Sequence, residues 1–137
     1  MKRLLKLASL SILLATAGTT SAQEPIVGIS AKPNESIFKD SAWNRPLVIK
    51  PREDAAKHFG KDAIEVLMKK VDFEKQIVLV FAWEGSGGDR LKYVVAESFP
   101  EQIFFSMQQG MTFDLRQHAL VYALRSNVRW STGKDKK

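Results

Sequence analysis

The segment Glu84-Gly85-Ser86-Gly87-Gly88-Asp89-Arg90 concentrates the residue types that bind ligands. Three glycines permit positive φ and let successive backbone N–H groups converge on one concavity, a geometry suited to an anion. Arg90 adds a guanidinium able to grip a carboxylate or phosphate. The candidate binding residues are therefore Gly85, Ser86, Gly87, Gly88, Asp89 and Arg90. The segment lacks the Gly-Lys-Ser/Thr ending of a Walker motif and does not lead into a helix. Ser86 is not a nucleophile elbow, because glycines flank it directly instead of at two residues' distance. The structural reading of the same stretch is a glycine-rich hairpin connection between two strands, with Asp89 and Arg90 solvated.

A second candidate is Asp114-Leu115-Arg116-Gln117-His118. Extended backbone sends Asp114, Arg116 and His118 to one side, and a carboxylate beside an imidazole can tune an acid–base group. This supports an alternative reading as an enzyme on a small anionic or carbohydrate substrate, with His118 paired to Asp114 or Asp89. A charged, solvated strand start explains the same residues without chemistry. No constellation is strong enough to name a catalytic residue. His58 and His118 are too far apart in sequence to suggest a zinc site, and no metal or cofactor is expected.

Composition removes other classes. Without cysteine, thiolate catalysis, thiol redox chemistry and cysteine metal sites are excluded. The chain carries a formal charge of +6, but Lys2, Arg3 and Lys6 lie in the first 22 residues. Without them, 18 basic residues face 15 acidic ones, a formal +3 with no clustered basic face. Nucleic acid is therefore not an expected partner.

Those first residues read as a secretory leader. A charged start precedes the short apolar run Leu7 to Ala15, and Ser21-Ala22 supply small residues before Gln23. The run is too short to span a bilayer. Export to the periplasm or outside follows, with no membrane insertion after cleavage. The remaining 115 of 137 residues suffice for one domain that must stand on packing alone.

The elements positioning the candidates follow from periodicity. Residues 23–46, with Pro25, Pro33 and Pro46, read as an extended N-terminal segment that Val27, Ile29, Ile37, Phe38 and Trp43 pin in places. Leu47 to Lys50 is a short strand stopped by Pro51. Pro51-Arg52-Glu53-Asp54 starts a helix. Ala56, Phe59, Ala63, Val66 and Leu67 form an apolar stripe, and Gly60 makes this one kinked helix or two short ones. Gln76 to Trp83 is a nearly unbroken apolar run, predicting a central strand buried on both faces. Leu91–Glu97, Gln102–Met107 and His118–Arg125 are further strands. Trp83, Trp130, Phe104 and Tyr122 read as core or edge packing. The predicted fold is α+β, a mainly antiparallel sheet with one amphipathic, kinkable helix. Its organisation is a leader over 1–22, the extended segment over 23–46, one domain over 47–130 and a polar, frayed tail over 131–137.

From Val71-Asp72-Phe73 through Ile77–Trp83 to the glycine loop, the chain resembles the small domain of PrcB-like proteins, a bacterial family associated with protease complexes. The likeness covers about Leu47 to Leu124 and lies in the order of elements: an amphipathic helix, an Asp-Phe step, an apolar strand, a glycine loop and further strands. Where that family has an aromatic after Gly-Gly, this chain has Asp89-Arg90. The chain also resembles small secreted bacterial proteins with a Phe-Ala-Trp-x-Gly-Ser-Gly stretch. The expectation is an exported, non-enzymatic domain that contacts a protein or peptide partner in the cell envelope through the Glu84–Arg90 loop.

Overall fold

The computed structural model describes residues 24–133. The assigned leader and Lys134–Lys137 of the tail lie outside the described residues. The strands are β1 (Ile26–Ile29), β2 (Leu47–Ile49), β3 (Gln76–Ser86), β4 (Arg90–Ala96), β5 (Gln102–Gln108), β6 (Leu115–Arg125) and β7 (Arg129–Thr132). Two helices, α1 (Arg52–Ala55) and α2 (Lys61–Lys70), lie between β2 and β3. The α+β class with a mainly antiparallel arrangement is what the structure adopts.

The strands form two sheets: a four-stranded one in the order β1-β6-β3-β2 and a three-stranded one in the order β4-β5-β7. β3 is central and buried on both faces from Val78 to Trp83, as its apolar run requires. Val78 and Val80 face the helices, together with Ile49, Leu67, Val121 and Ala123. Leu79, Phe81 and Trp83 face the second sheet and pack against Ile103 and Phe105. Phe81 and Phe105 meet at a ring separation of 4.6 Å, and such a pair adds about 1 kcal/mol beyond its burial. The molecule is thus three layers: helices, four-stranded sheet, three-stranded sheet.

The break at Gly60 resolves into two short helices. Residues 56–58 turn and Phe59 bridges back to Pro33, so Phe59 is buried while Ala56 of the expected stripe is exposed. In α2, Asp62 in the first turn and Lys69 and Lys70 in the last suit the helix dipole. Its Leu67 is fully buried against the sheet.

The N-terminal segment contributes more than an extended arm. Ile26–Ile29 pairs antiparallel with Val121–Leu124 as an edge strand. At the other end Ser131 and Thr132, assigned to a frayed tail, belong to β7, which pairs in parallel with β5. Thr132 Oγ1 donates to the Asn44 carbonyl at 2.9 Å, tying β7 to the loop before β2. Among the described residues no helix is long and apolar enough to cross a membrane.

The expected hairpin between β3 and β4 does not form. β3 pairs with β6 and β4 with β5, so the glycine segment links strands of different sheets. The physical reason is a longer-range one. β3–β4 and β5–β6 are the two arms of a single long hairpin, folded over at a crease. On one arm the crease consists of residues 87–89 and on the other of residues 109–114, between the pairs Ser86↔Leu115 and Arg90↔Gln108. Three residues oppose six, an exaggerated bulge that turns the ribbon through a corner.

Candidate functional site

The crease gathers both sequence candidates. On the short arm, the Asp89 amide donates to the Ser86 carbonyl at 3.0 Å and closes a four-residue turn. None of the described glycines has a positive φ. The glycines serve close approach instead. A Cβ on Gly85 would meet Asp89 Oδ2 at 2.3 Å, and one on Gly87 would meet Asp114 Oδ2 at 2.4 Å. The backbones of Gly88 and Gly110 touch, and side chains there would separate the two arms.

Ser86 sits at the centre of the polar network. Its Oγ accepts from the amides of Gly88 and Thr112, both at 3.2 Å. With both lone pairs engaged, its own proton goes to Thr112 Oγ1, 2.5 Å away. The Thr112 hydroxyl in turn bonds the Asp114 carboxylate. That carboxylate also accepts from the Gly87 amide at 3.1 Å and from Arg116 Nε at 2.5 Å. Thr112, Arg116 and the Gly87 amide together hold Asp114 well below the usual carboxylate range.

Asp89 does the same work from the other side. Its Oδ1 accepts from the Gly110 amide at 2.8 Å and its Oδ2 from the Trp83 indole at 3.2 Å. The successive amides expected to converge on an external anion do not converge: those of Gly87, Gly88 and Asp89 donate separately to the Asp114 carboxylate, to Ser86 Oγ and to the Ser86 carbonyl. Gly87 and Gly110 donate to Asp114 and Asp89, across the crease in each case.

His118 reaches the same place. Its Nε2 lies 2.7 Å from the Ser86 carbonyl oxygen. A carbonyl only accepts, so Nε2 carries the proton. The ring stacks on Trp83 with centroids 4.8 Å apart and planes 13° off parallel. His118 therefore bonds the Ser86 backbone and not its hydroxyl. Asp114 lies on the residue before β6 and turns to Arg116 and Gly87. The arrangement brings His118, Asp114, Asp89 and Ser86 together, with each committed to holding backbone in place.

Of the six binding candidates, Gly85, Ser86, Gly88 and Asp89 are half-buried, whereas Gly87 and Arg90 are exposed. Arg90 has no ion pair among the described residues. Trp83 is buried, Tyr122 and Trp130 are half-buried, and Phe104 stands out of the second sheet. Burial and the neighbouring Tyr93 raise the Tyr122 hydroxyl above its ordinary pKa. Among the described residues no group of three His, Asp or Glu side chains is placed to hold a metal ion.

Sequence reasoning missed the other face of the long arm. Met111, Phe113 and Leu115 are 94%, 107% and 75% exposed. They alternate with Thr112 and Asp114, whose side chains point into the network. The period-two signal was present in Met-Thr-Phe-Asp-Leu, but it resembles a half-buried strand. Comparison with protein-family models, with curated proteins and with solved structures finds no match for the chain.

Proposed function

We propose that this is an exported, non-enzymatic binding domain that contacts a protein or peptide partner in the cell envelope at the crease. One observation carries the reading: three large apolar side chains, Met111, Phe113 and Leu115, stand in solvent on a segment whose intervening residues are pinned. Single exposed apolar residues are ordinary, but three in alternation on a held backbone form a prepared contact. Pinning lowers the ordering cost of association. Aromatic residues, Met and Arg are the types that interfaces favour, and Arg90 and Arg116 lie at the same corner. In this reading Gly85, Ser86, Gly87, Gly88 and Asp89 support the contact, and Arg90 belongs to its polar rim. The resemblance to PrcB-like domains, read from the sequence alone, would imply a protein partner. The enzyme alternative is less well supported, because Asp114 and Asp89 already accept internal bonds and His118 is spent on a carbonyl.

A photo-crosslinking residue in place of Phe113, compared with one in place of Phe99, tests this in the producing cells. Phe99 is equally exposed but lies at the far end of β5, in the turn between β4 and β5. A discrete adduct from position 113 alone is expected. The same adducts from both positions, or none from 113, would overturn the assignment.

A further inference from the structure

A cavity of about 430 Å³ opens on the opposite side of the four-stranded sheet, between the 3₁₀ turn Glu35–Phe38, the loop after it and the turn following α1. Its size is within the range of small-molecule sites, roughly 300 to 1,000 Å³. Its lining is unbalanced in charge. Lys39, Arg45 and Lys57 contribute to the wall, against one carboxylate, Asp40. Lys57 is paired with Asp54 at 3.0 Å. Lys39 and Arg45 have no ion pair among the described residues. The remaining wall includes the buried side chains of Val80 and Ala82 from β3.

The loop carrying these cations is held in shape. Ser41 Oγ donates to the Phe38 carbonyl at 3.2 Å, and the Arg45 amide to the Ala42 carbonyl at 3.0 Å. The His58 carbonyl accepts from the Asn34 amide at 2.8 Å, tying the turn after α1 to the same segment. Within the loop, Asp40 adopts a φ of 57°, the one left-handed non-glycine residue among those described. Such backbone is tolerated by Asp and is found where the surrounding structure fixes a local shape. Lys39 and Arg45, neither of them in an ion pair among the described residues, bring like charge to one cavity whose wall holds a single carboxylate, Asp40. An oxyanion relieves their repulsion. The guanidinium of Arg45 suits a two-oxygen head, and the half-buried Ile37, Pro46 and Leu47 in the same wall suit an apolar body.

We propose that this cavity binds a small organic oxyanion, a carboxylate or phosphate head on an apolar body, with Lys39 and Arg45 holding the head. The site is separate from the crease and stands independently of the partner contact assigned there.

Four probes separate head from body: octanoate, octyl phosphate, inorganic phosphate and 1-octanol, titrated by calorimetry into the purified protein. Octanoate or octyl phosphate, or both, should bind at least about tenfold more tightly than inorganic phosphate and than octanol. Arg45→Gln and Lys39→Gln should each weaken the binding about tenfold, while Lys61→Gln outside the cavity leaves it unchanged. Amide shifts on titration should centre on Lys39–Ala42 and His58. Which amphiphile binds better distinguishes the head. The proposal is overturned if neither amphiphile binds, if the Arg45 and Lys39 variants bind as the wild type does, or if the shifts map elsewhere. Both substitutions are at exposed side chains, and unchanged melting of the variants confirms that they report on binding.

Discussion

The backbone of Gly110 lies so close to that of Gly88 that a Cβ on Gly110 would stand 2.4 Å from the Gly88 carbonyl carbon. Two residues 22 apart thus meet with no side chain between them, at the fold of one long hairpin. The contact decides which substitutions the crease tolerates.

Gly110→Ala is predicted to destabilise the protein by about 1–3 kcal/mol, because the new methyl has backbone on its far side and nothing flexible to displace. Gly28→Ala is the contrast. Its Cβ would find Tyr122 at 3.9 Å, an ordinary contact, so its effect should stay within about 0.5 kcal/mol. Urea unfolding of both variants measures the difference, and equal midpoints would refute the close-approach account.

Ser86→Ala should cost about 1–3 kcal/mol, since the amides of Gly88 and Thr112 lose their acceptor and Thr112 its donor. Thr112→Val should be strongly non-additive with it, because the two hydroxyls form one chain to Asp114. A double-mutant cycle in urea checks this. Additive losses would show that the chain of bonds does not act as a unit.

Acid should act through Asp114. Its folded-state pKa is depressed from an ordinary 3.8, so its stabilisation is in place above that value and is lost as pH falls below it. Asp114→Asn lacks the charge at every pH. The stability gap between wild type and Asp114→Asn should be full near neutrality and shrink below about pH 4. Chemical unfolding between pH 2 and 7 reads it directly, and a gap that does not vary with pH would sink the assignment.

Both faces of β3 should be sensitive to truncation. Leu79→Ala removes a side chain facing the second sheet and is expected to cost about 2–5 kcal/mol. Val80→Ala, facing the helices, should cost about 1–3 kcal/mol for its smaller loss. A negligible loss at either position would mean that one face of the strand is not truly covered.

Substitutions on the displayed side of the crease belong to a different class. Met111→Ser and Phe113→Ser should each leave stability within about 0.5 kcal/mol, since neither side chain is packed. Loss of the cross-linked adduct seen from position 113, with unchanged melting, is the expected outcome for Met111→Ser.

Burial on two faces was readable in Gln76–Trp83 because eight largely apolar residues leave no polar side to expose. Helix starts at Pro51 and a break at Gly60 were readable from local stereochemistry. The parting of β3 from β4 was not. A glycine-rich turn between two apolar strands looks locally the same whether the strands pair or diverge. The choice depends on Gly110, Thr112 and Asp114, more than 20 residues away. β7 was hidden for a similar reason: Arg-Trp-Ser-Thr is short, and its parallel partner β5 lies far back in the chain. At the site, composition drew the eye to the glycines, whereas the displayed residues were Met111, Phe113 and Leu115. Lys39 and Arg45 gave no signal, because loop cations look solvated until a cavity gathers them.

The bond from Thr132 to the Asn44 carbonyl spans 88 residues, and β7 seals the open side of β5 at the same end of the chain. During synthesis the crease is finished once His118 has emerged, but the second sheet stays one strand short until Arg129–Thr132 follow. Ile103 and Phe105 therefore acquire their β7 neighbours only once Arg129–Thr132 are in place. A chain cut before Arg129 would leave a creased ribbon with an unsealed edge, open to proteolysis and to strand exchange with another copy.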